Sequence, residues 1–507
     1  MGGIGPGPGP VEIATPSTDI KGRAVRGGVA TLGGQAIQLA LGLGTTALMA
    51  RILAPQDYGA VAMVVAFLGL ASLFRDLGLS AATVQRERIT HNEVSGLFWV
   101  NVATGLALMV IMMLCAPLVV SFYRRPDLYW LTIAYAALTL INSLGAQHYA
   151  LLERSMRYGS LAGRNLIAAF AGAFAGILGA GLGLGYWAIF TMQAATTVVG
   201  TVTLWWQSGW IPGRPQHPRK LAPLLAFGGA LTLSNVLAFV ARGLDSLLLG
   251  RFVGAAGLGL YARAQSLLLR PLEQVIPPVM NVATGTFARL ATSPERFVDA
   301  AFRFLSVLAF TAGLAVALVV GTAHWIVALL LGPQWTDAVP IVRALAPFAL
   351  VEPCASLLGT LLVVRGQPLK LVRWRIVSTV IILGGLFVGL PWGPLGVAVA
   401  MSGTGLLLRT PLFIVYSSHV LGLSSARVIR TVGPHALSGL LVAASLLILN
   451  QAWPMSGPFV GLITYGAVGT GLYLGLALLW AGGRTTMRDL VASTKALRSR
   501  GAAVTEP

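Results

Sequence analysis

From Gly28 almost to its end, the chain is a succession of apolar stretches of about 20 residues separated by short polar connections. An α-helix rises ~1.5 Å per residue, so each stretch is long enough to cross a hydrocarbon core of ~30 Å. Helices, not barrel strands, are the spanning unit. Composition agrees: 56% of the 507 residues are hydrophobic and 10% are charged, against ~25% charged in soluble domains. These features describe an all-α integral membrane protein.

Spans are expected near 28–50, 59–84, 94–120, 128–149, 160–182, 186–207, 222–249, 257–285, 304–331, 340–364, 371–391, 394–418, 434–452 and 457–482, about 14 transmembrane helices in all. Residues 1–27, opening MGGIGPGPGP, hold no apolar core of a signal peptide and are expected to form a disordered cytoplasmic tail. Residues 483–507 form a second cytoplasmic tail.

The net charge of +19 acquires its meaning from its placement. With the N-terminus inside, outer loops carry only Arg51, Arg124, Arg125 and Arg251, and the inner tails and loops, with the span residues next to their inner ends, carry 25 of the 35 Lys and Arg. That is the positive-inside pattern. The even number of spans returns the C-terminus to the cytoplasm. The basic residues are scattered over short loops without interleaved aromatics, so no nucleic acid partner is expected; contact with the anionic headgroups of membrane lipids is. Apart from those near inner ends, six Arg stay inside the expected spans, where charge is costly: Arg75, Arg242, Arg263, Arg270, Arg343 and Arg409.

A repeat organises the spans. Arg51 to Gly59, RILAPQDYG, follows the first span, and Arg251 to Gly259, RFVGAAGLG, follows the seventh at an offset of 200. A shorter echo pairs Gly183–Ala188 with Gly393–Ala398. Spans one and seven both run outward, so the expectation is two six-helix lobes related by a parallel internal repeat. They cover 28–220 and 221–420, with two C-terminal helices in 421–482.

The stretches ARILAPQDYGAVAM, DLGLSAATVQRE, LLERSMRYGSLA, RGLDSLLLGRFVGAAGLGLYARAQSLLLRPLEQVIPPV and LLGPQWTDAVPIVRALAP, with GPLGVAVA, are similar to those of a known family. From about Gly28 to Val420 the chain resembles the oligosaccharide flippases and polysaccharide biosynthesis proteins of the multidrug/oligosaccharidyl-lipid/polysaccharide exporter superfamily. The resemblance implies fourteen helices in two lobes, and transfer of a polyprenyl-diphosphate-linked oligosaccharide from the inner to the outer leaflet by alternating access. It implies a membrane potential or a coupling cation, H+ or Na+, as the drive. A glycan polymerase and export machinery are the protein partners it suggests, in a bacterial inner membrane. Drug exporters share this fold, so a small-molecule exporter is the main alternative.

A diphosphate crossing low dielectric calls for bidentate Arg. In the eighth span Arg263, Ser266, Arg270 and Glu273 share a helical face, and Arg270 lies too deep to snorkel easily. Arg270 and then Arg263 are the candidates for phosphate, unless Glu273 neutralises Arg270 within the helix. The seventh span sets Asn235, Arg242 and Asp245 on one face, as a structural pair or, at Asp245, a coupling site. Gln35, Gln38 and Thr45 form a polar face on the first span, suited to sugar hydroxyls or to helix–helix hydrogen bonds. Glu352, with Arg343 nine residues earlier, is a further buried acid for coupling or packing. Pro271, Pro277 and Pro278 remove helix donors after Arg270 and mark a candidate hinge. Asp76 shares a polar stripe with Ser72 and Ser80 as a gate candidate, and Arg75 is placed to anchor at the interface. Gly172 with Gly176 and Gly471 with Gly475 suggest close helix contacts.

Several chemistries find no support. There is no GxxxxGK[ST] loop for ATP and no DxD motif, and all outer loops are short, which disfavours a membrane polymerase, ligase or glycosyltransferase. Cys115 and Cys354 sit in apolar surroundings as packing residues, and the six His lack metal-ligand spacing. The expected role is a transporter with no resident cofactor or catalytic set.

Overall fold

The computed structural model describes residues 20–72, 80, 83–84, 89–215, 243–290, 293–455, 457–480 and 482–488; the side chains of 20–32, 36, 70–72, 270–279, 281–282 and 288 fall outside that description. The elements in it are all helices. Nine helical runs among the described residues are long and apolar enough to cross a membrane, and α1 (Ile20–Ile52) with α2 (Pro55–Ser72) adds a tenth candidate, a pair bent by 119°. The protein is a multi-pass membrane protein. Expected spans 59–84 and 222–249 lie partly or largely outside the described residues.

The chain divides into two compact units, Met1–Gly259 and Leu260–Pro507. In the first, α1 starts at Ile20, earlier than Gly28, since no proline after Pro16 interrupts the lead-in. The sharp turn into α2 is fixed by Asp57, whose carboxylate accepts from the Ala54 backbone N–H at 3.0 Å. The third span opens with a capping box. The Thr90 side chain accepts from Glu93 N at 3.2 Å, and Glu93 Oε2 accepts from Thr90 N at 2.8 Å, starting α3 (His91–Leu114). This span was expected to continue to residue 120. It breaks instead at Cys115, because Pro117 has no N–H to offer the Met113 carbonyl, and a short α4 (Ala116–Tyr123) follows.

Next come α5 (Leu128–Arg154), α6 (Tyr158–Gly181) and α7 (Tyr186–Ser208). Without water to drive association, helices in lipid hold together by close packing at small residues. On α6, a Cβ at Gly172 would collide with Thr196 Oγ1, and one at Gly176 would sit 2.8 Å from Met192 Cβ, both on α7. The other side of α6 exposes Ile167, Phe170, Phe174 and Leu178 at steps of three and four, a surface suited to acyl chains.

The long α8 (Gly254–Leu290) begins in the first unit against the start of α2. A Cβ on Gly59 would overlap the Ala255 carbonyl oxygen, and one on Gly259 would overlap that of Pro55. Both pairs of equivalent positions are 200 apart, so the repeat seen in sequence makes one contact twice, in reverse. Pro271, Pro277 and Pro278 all fall within the continuous helical assignment of α8.

In the second unit, α9 (Pro294–Leu330) and α14 (Ser425–Ala452) run parallel, pairing Gly313 with Gly439 and Gly321 with Leu446. α15 (Pro458–Leu479) returns antiparallel, its Tyr473 hydroxyl donating to the Phe310 carbonyl at 2.9 Å. Gly471 and Gly475, expected at a close contact, have open space around them instead. Between these elements lie α10 (Ala338–Val364), α11 (Pro368–Gly389), α12 (Gly393–Thr404), a π-turn at Gly405–Arg409 and α13 (Thr410–Leu421). The run Pro368–Leu421 folds back on itself. A Cβ on Gly385 would lie 2.6 Å from Thr404 Oγ1, and one on Gly389 would lie 2.6 Å from the Gly396 carbonyl oxygen. Residues 385 and 404 would stand ~28 Å apart in one straight helix, so this run is a helical hairpin.

Candidate functional site

Charge inside a membrane helix needs a partner, and the second unit supplies one. Arg409 donates from Nη2 to Glu352 Oε2 at 2.7 Å, joining the π-turn to α10. The guanidinium also lies over the Phe348 ring, 4.5 Å from its centroid, and Phe348 is one helical turn before Glu352 on the same face. The π-turn has a role in this approach: a Cβ on Gly405 would lie 2.8 Å from Phe348 Cδ2, so only glycine lets the turn settle on the ring. Arg409 is largely enclosed at 14% side-chain exposure, whereas Glu352 is 46% exposed. Glu352 falls near the middle of α10, ~20 Å from either end at ~1.5 Å per residue. The sequence reading placed Arg409 inside a span but assigned it no partner. The available signal is an in-span Arg without a partner and, in another span, the acid Glu352 that sequence sets beside Arg343.

Arg343 is placed elsewhere. It lines a cavity of about 390 Å³ with His324, Thr336 and Asn450, and its Nε has no hydrogen-bond partner among the described residues.

Among the described residues of the first unit, the buried polar side chains are uncharged groups and one acid, Asp245. Thr83 Oγ1 donates to Gln147 Oε1 at 2.9 Å, and Arg154 Nη1 donates to the Thr83 carbonyl at 2.7 Å. His148 Nδ1 is 2.8 Å from Ser208 Oγ, with Phe98 and Trp205 against its ring. Asn101 is fully buried, and neither its amide nitrogen nor its oxygen has a partner among the described residues. Sequence pattern alone did not single out Asn101, since a lone Asn in an apolar run carries no spacing signal.

Of the residues expected to meet cargo, Gln35 and Gln38 are exposed on α1, and Thr45 is buried with its hydroxyl donating to the Leu41 carbonyl at 2.7 Å. Arg263 is half-buried on α8. Asp245 is buried, and its Oδ1 accepts from the Ser246 backbone N–H at 2.7 Å. Asn235, Arg242, Arg75 and Asp76 lie outside the described residues, as do the side chains of Arg270, Glu273, Pro271, Pro277 and Pro278. Among the described residues no group of three or more His, Cys, Asp or Glu is arranged to hold a metal.

With this geometry in hand, comparison with known proteins is decisive at the level of family. The model of the family described as "Polysaccharide biosynthesis protein" matches residues 48–340, more than half of the chain. The chain belongs to the polysaccharide biosynthesis protein family. Similar relatives include the teichuronic acid biosynthesis protein TuaB of Bacillus subtilis (strain 168), 27% identical over 62% of this chain and 65% of TuaB, just under two thirds of its length. The lipopolysaccharide biosynthesis protein WzxC of Escherichia coli (strain K12) is 22% identical over 70% of this chain and 72% of its own. The succinoglycan biosynthesis transport protein ExoT of Rhizobium meliloti (strain 1021) is 25% identical over 68% and 70%.

Among solved structures, the lipid II flippase MurJ in an inward closed conformation superposes with a TM-score of 0.70 at 15% identity, over 91% of this chain and all of that one. An inward-facing MATE family multidrug transporter of the MOP superfamily superposes at 0.56 with 16% identity, over 82% and 98%. At such identities the likeness is one of fold: this member of the polysaccharide biosynthesis protein family has the MOP superfamily fold, one shared with transporters.

Proposed function

We propose that the protein is a flippase that moves a polyprenyl-diphosphate-linked oligosaccharide from the inner to the outer leaflet of a bacterial inner membrane, for exopolysaccharide, capsule or O-antigen synthesis. The observation that carries this reading is that a chain of a polysaccharide biosynthesis family takes the fold of a lipid II flippase over 91% of its length. In this reading fourteen spans form two parallel six-helix lobes plus two C-terminal helices, with both termini cytoplasmic. The reciprocal contact of Gly59 and Gly259 supports such a repeat.

Arg270 and Arg263, with Arg242, receive the diphosphate; Gln35, Gln38 and Asn235 bind sugar hydroxyls. The exposure of both glutamines fits that role. Asp245, Asp76, Glu273 and Glu352 are the acids through which H+ or Na+ exchange drives rocking. Of these, Glu352 has a geometry suited to switching, since a half-exposed carboxylate held by one Arg can trade that partner for a cation. The bend allowed by Pro271, Pro277 and Pro278 serves as hinge.

The test is deletion of the gene followed by leaflet-resolved analysis of lipid-linked oligosaccharides. Accumulation on the cytoplasmic side is expected, and an unchanged distribution overturns the reading. The fold shared with a multidrug transporter supports a second reading, a small-molecule exporter. Lost drug resistance with intact surface glycan would favour that one.

A further inference from the structure

The second unit contains a basic cavity that the transport reading leaves unused. It has a volume of about 690 Å³ and lies between the N-terminal turns of α9 and α14 and the helical residues 482–488. Arg303, Arg427 and Arg430 line it against a single acid, Asp299. Arg427 is already engaged: it lies 3.4 Å from Asp299 Oδ1 and 4.1 Å over the centre of the Phe302 ring. Arg303 and Arg430 form no ion pair among the described residues, which leaves two guanidinium groups facing one cavity. The inner wall is polar and built. Ser306 Oγ is 2.6 Å from Thr486 Oγ1 and 3.2 Å from His435 Nε2, and both Thr486 and His435 are buried.

Two exposed guanidinium groups beside the buried Thr486 hydroxyl and the half-buried Ser306 hydroxyl suit an oxyanion with several acceptor oxygens, and a phosphate above all. The volume far exceeds that of one phosphate ion and falls in the range of sites for larger ligands. One rim is apolar: Leu478, Leu479 and Trp480 are 48%, 72% and 43% exposed at the end of α15. A Trp at this place marks the boundary between headgroups and acyl chains. Basic pockets between helices on the cytoplasmic side are suited to anionic headgroups, and the charge pattern puts this end of α9 and α14 inside.

We propose that this pocket binds the phosphate-bearing headgroup of a membrane lipid, whose acyl chains lie along the apolar end of α15. None of the residues that line this pocket is assigned to cargo, and the proposal does not depend on transport.

The experiment measures lipid binding to the purified full chain in detergent by native mass spectrometry. The probes are dioctanoyl phosphatidylglycerol, dioctanoyl phosphatidylcholine, farnesyl diphosphate and inorganic diphosphate. Wild type is expected to hold phosphatidylglycerol at least ~10-fold more tightly than phosphatidylcholine, and the Arg303→Gln/Arg430→Gln variant is expected to lose that preference. Both replaced residues are exposed, so the variant should match wild type in elution and melting temperature. Arg373→Gln, which removes an exposed Arg of α11, should leave binding unchanged. Farnesyl diphosphate competing with phosphatidylglycerol extends the ligand class to polyprenyl phosphates, while phosphatidylglycerol alone assigns a resident phospholipid. Equal binding of the two phospholipids, or phosphatidylglycerol binding unaffected by the double variant, overturns the proposal. Inorganic diphosphate binding as tightly as any lipid assigns a soluble phosphate and overturns the lipid assignment.

Discussion

Arg343 and Glu352 share one helix but point in opposite directions: nine positions at ~100° each bring them ~180° apart around α10. Arg343 lines a cavity with His324, whereas Glu352 takes Arg409 from the π-turn as its partner. A double-mutant cycle should therefore find coupling between Glu352 and Arg409, of about 1 kcal/mol given the exposure of the carboxylate, and none between Glu352 and Arg343. Arg409→Gln should cost more than Glu352→Gln, because it also removes the contact with Phe348. Melting temperatures in detergent provide the measurement. Additive effects for Glu352 and Arg409 would contradict the pairing.

The reversed contact at Gly59 and Gly259 predicts matching sensitivity at two positions far apart in sequence. Each alanine would drive a methyl group into a helix carbonyl, so Gly59→Ala and Gly259→Ala should each destabilise by roughly 1–3 kcal/mol. Thermal unfolding of the two variants should show similar drops. A large loss at one position with none at the other would mean that the two halves of the contact are not equivalent.

In the proposed function, Arg270 receives the cargo's phosphate. Arg270→Ala should leave insertion and yield normal and reduce transfer at least ~100-fold, and Arg270→Lys should retain part of the activity as a point charge without the bidentate fork. Complementation of a deletion strain, read as surface glycan, reports both. Full activity of the Ala variant would remove Arg270 from the site.

The helices were legible because lipid imposes one rule, apolar length, that can be read residue by residue; α5, α6 and α7 fall close to their expected limits. Their ends were less so. The break at Cys115 depends on Pro117, which a hydropathy reading passes over as one more apolar residue. The site was legible only as a set of costly charges. Which charge meets which depends on helical phase and on contacts between distant segments. Phase alone already separates Arg343 from Glu352, but only the packing of the π-turn on Phe348 selects Arg409. The pocket of Arg303, Arg430, Ser306 and Thr486 draws on three separate segments, and nothing in any one of them announces it.

The distribution of Lys and Arg makes a topological prediction. Single cysteines introduced into a cysteine-free variant at Arg125 and at Arg373 should react from opposite sides with a membrane-impermeant thiol reagent. Arg125→Cys should label in intact cells, and Arg373→Cys only after permeabilisation. The reverse pattern would invert the inferred orientation and place the basic cavity outside.

The most direct measurement reconstitutes the purified protein into liposomes carrying a fluorescent polyprenyl-diphosphate-linked oligosaccharide and follows its accessibility to an impermeant quencher. The account predicts that quenching rises from about half of the cargo toward all of it when wild type is present and a membrane potential or cation gradient is applied, with Arg270→Ala remaining at half. Quenching by wild type no greater than in protein-free liposomes, under every gradient, would contradict it.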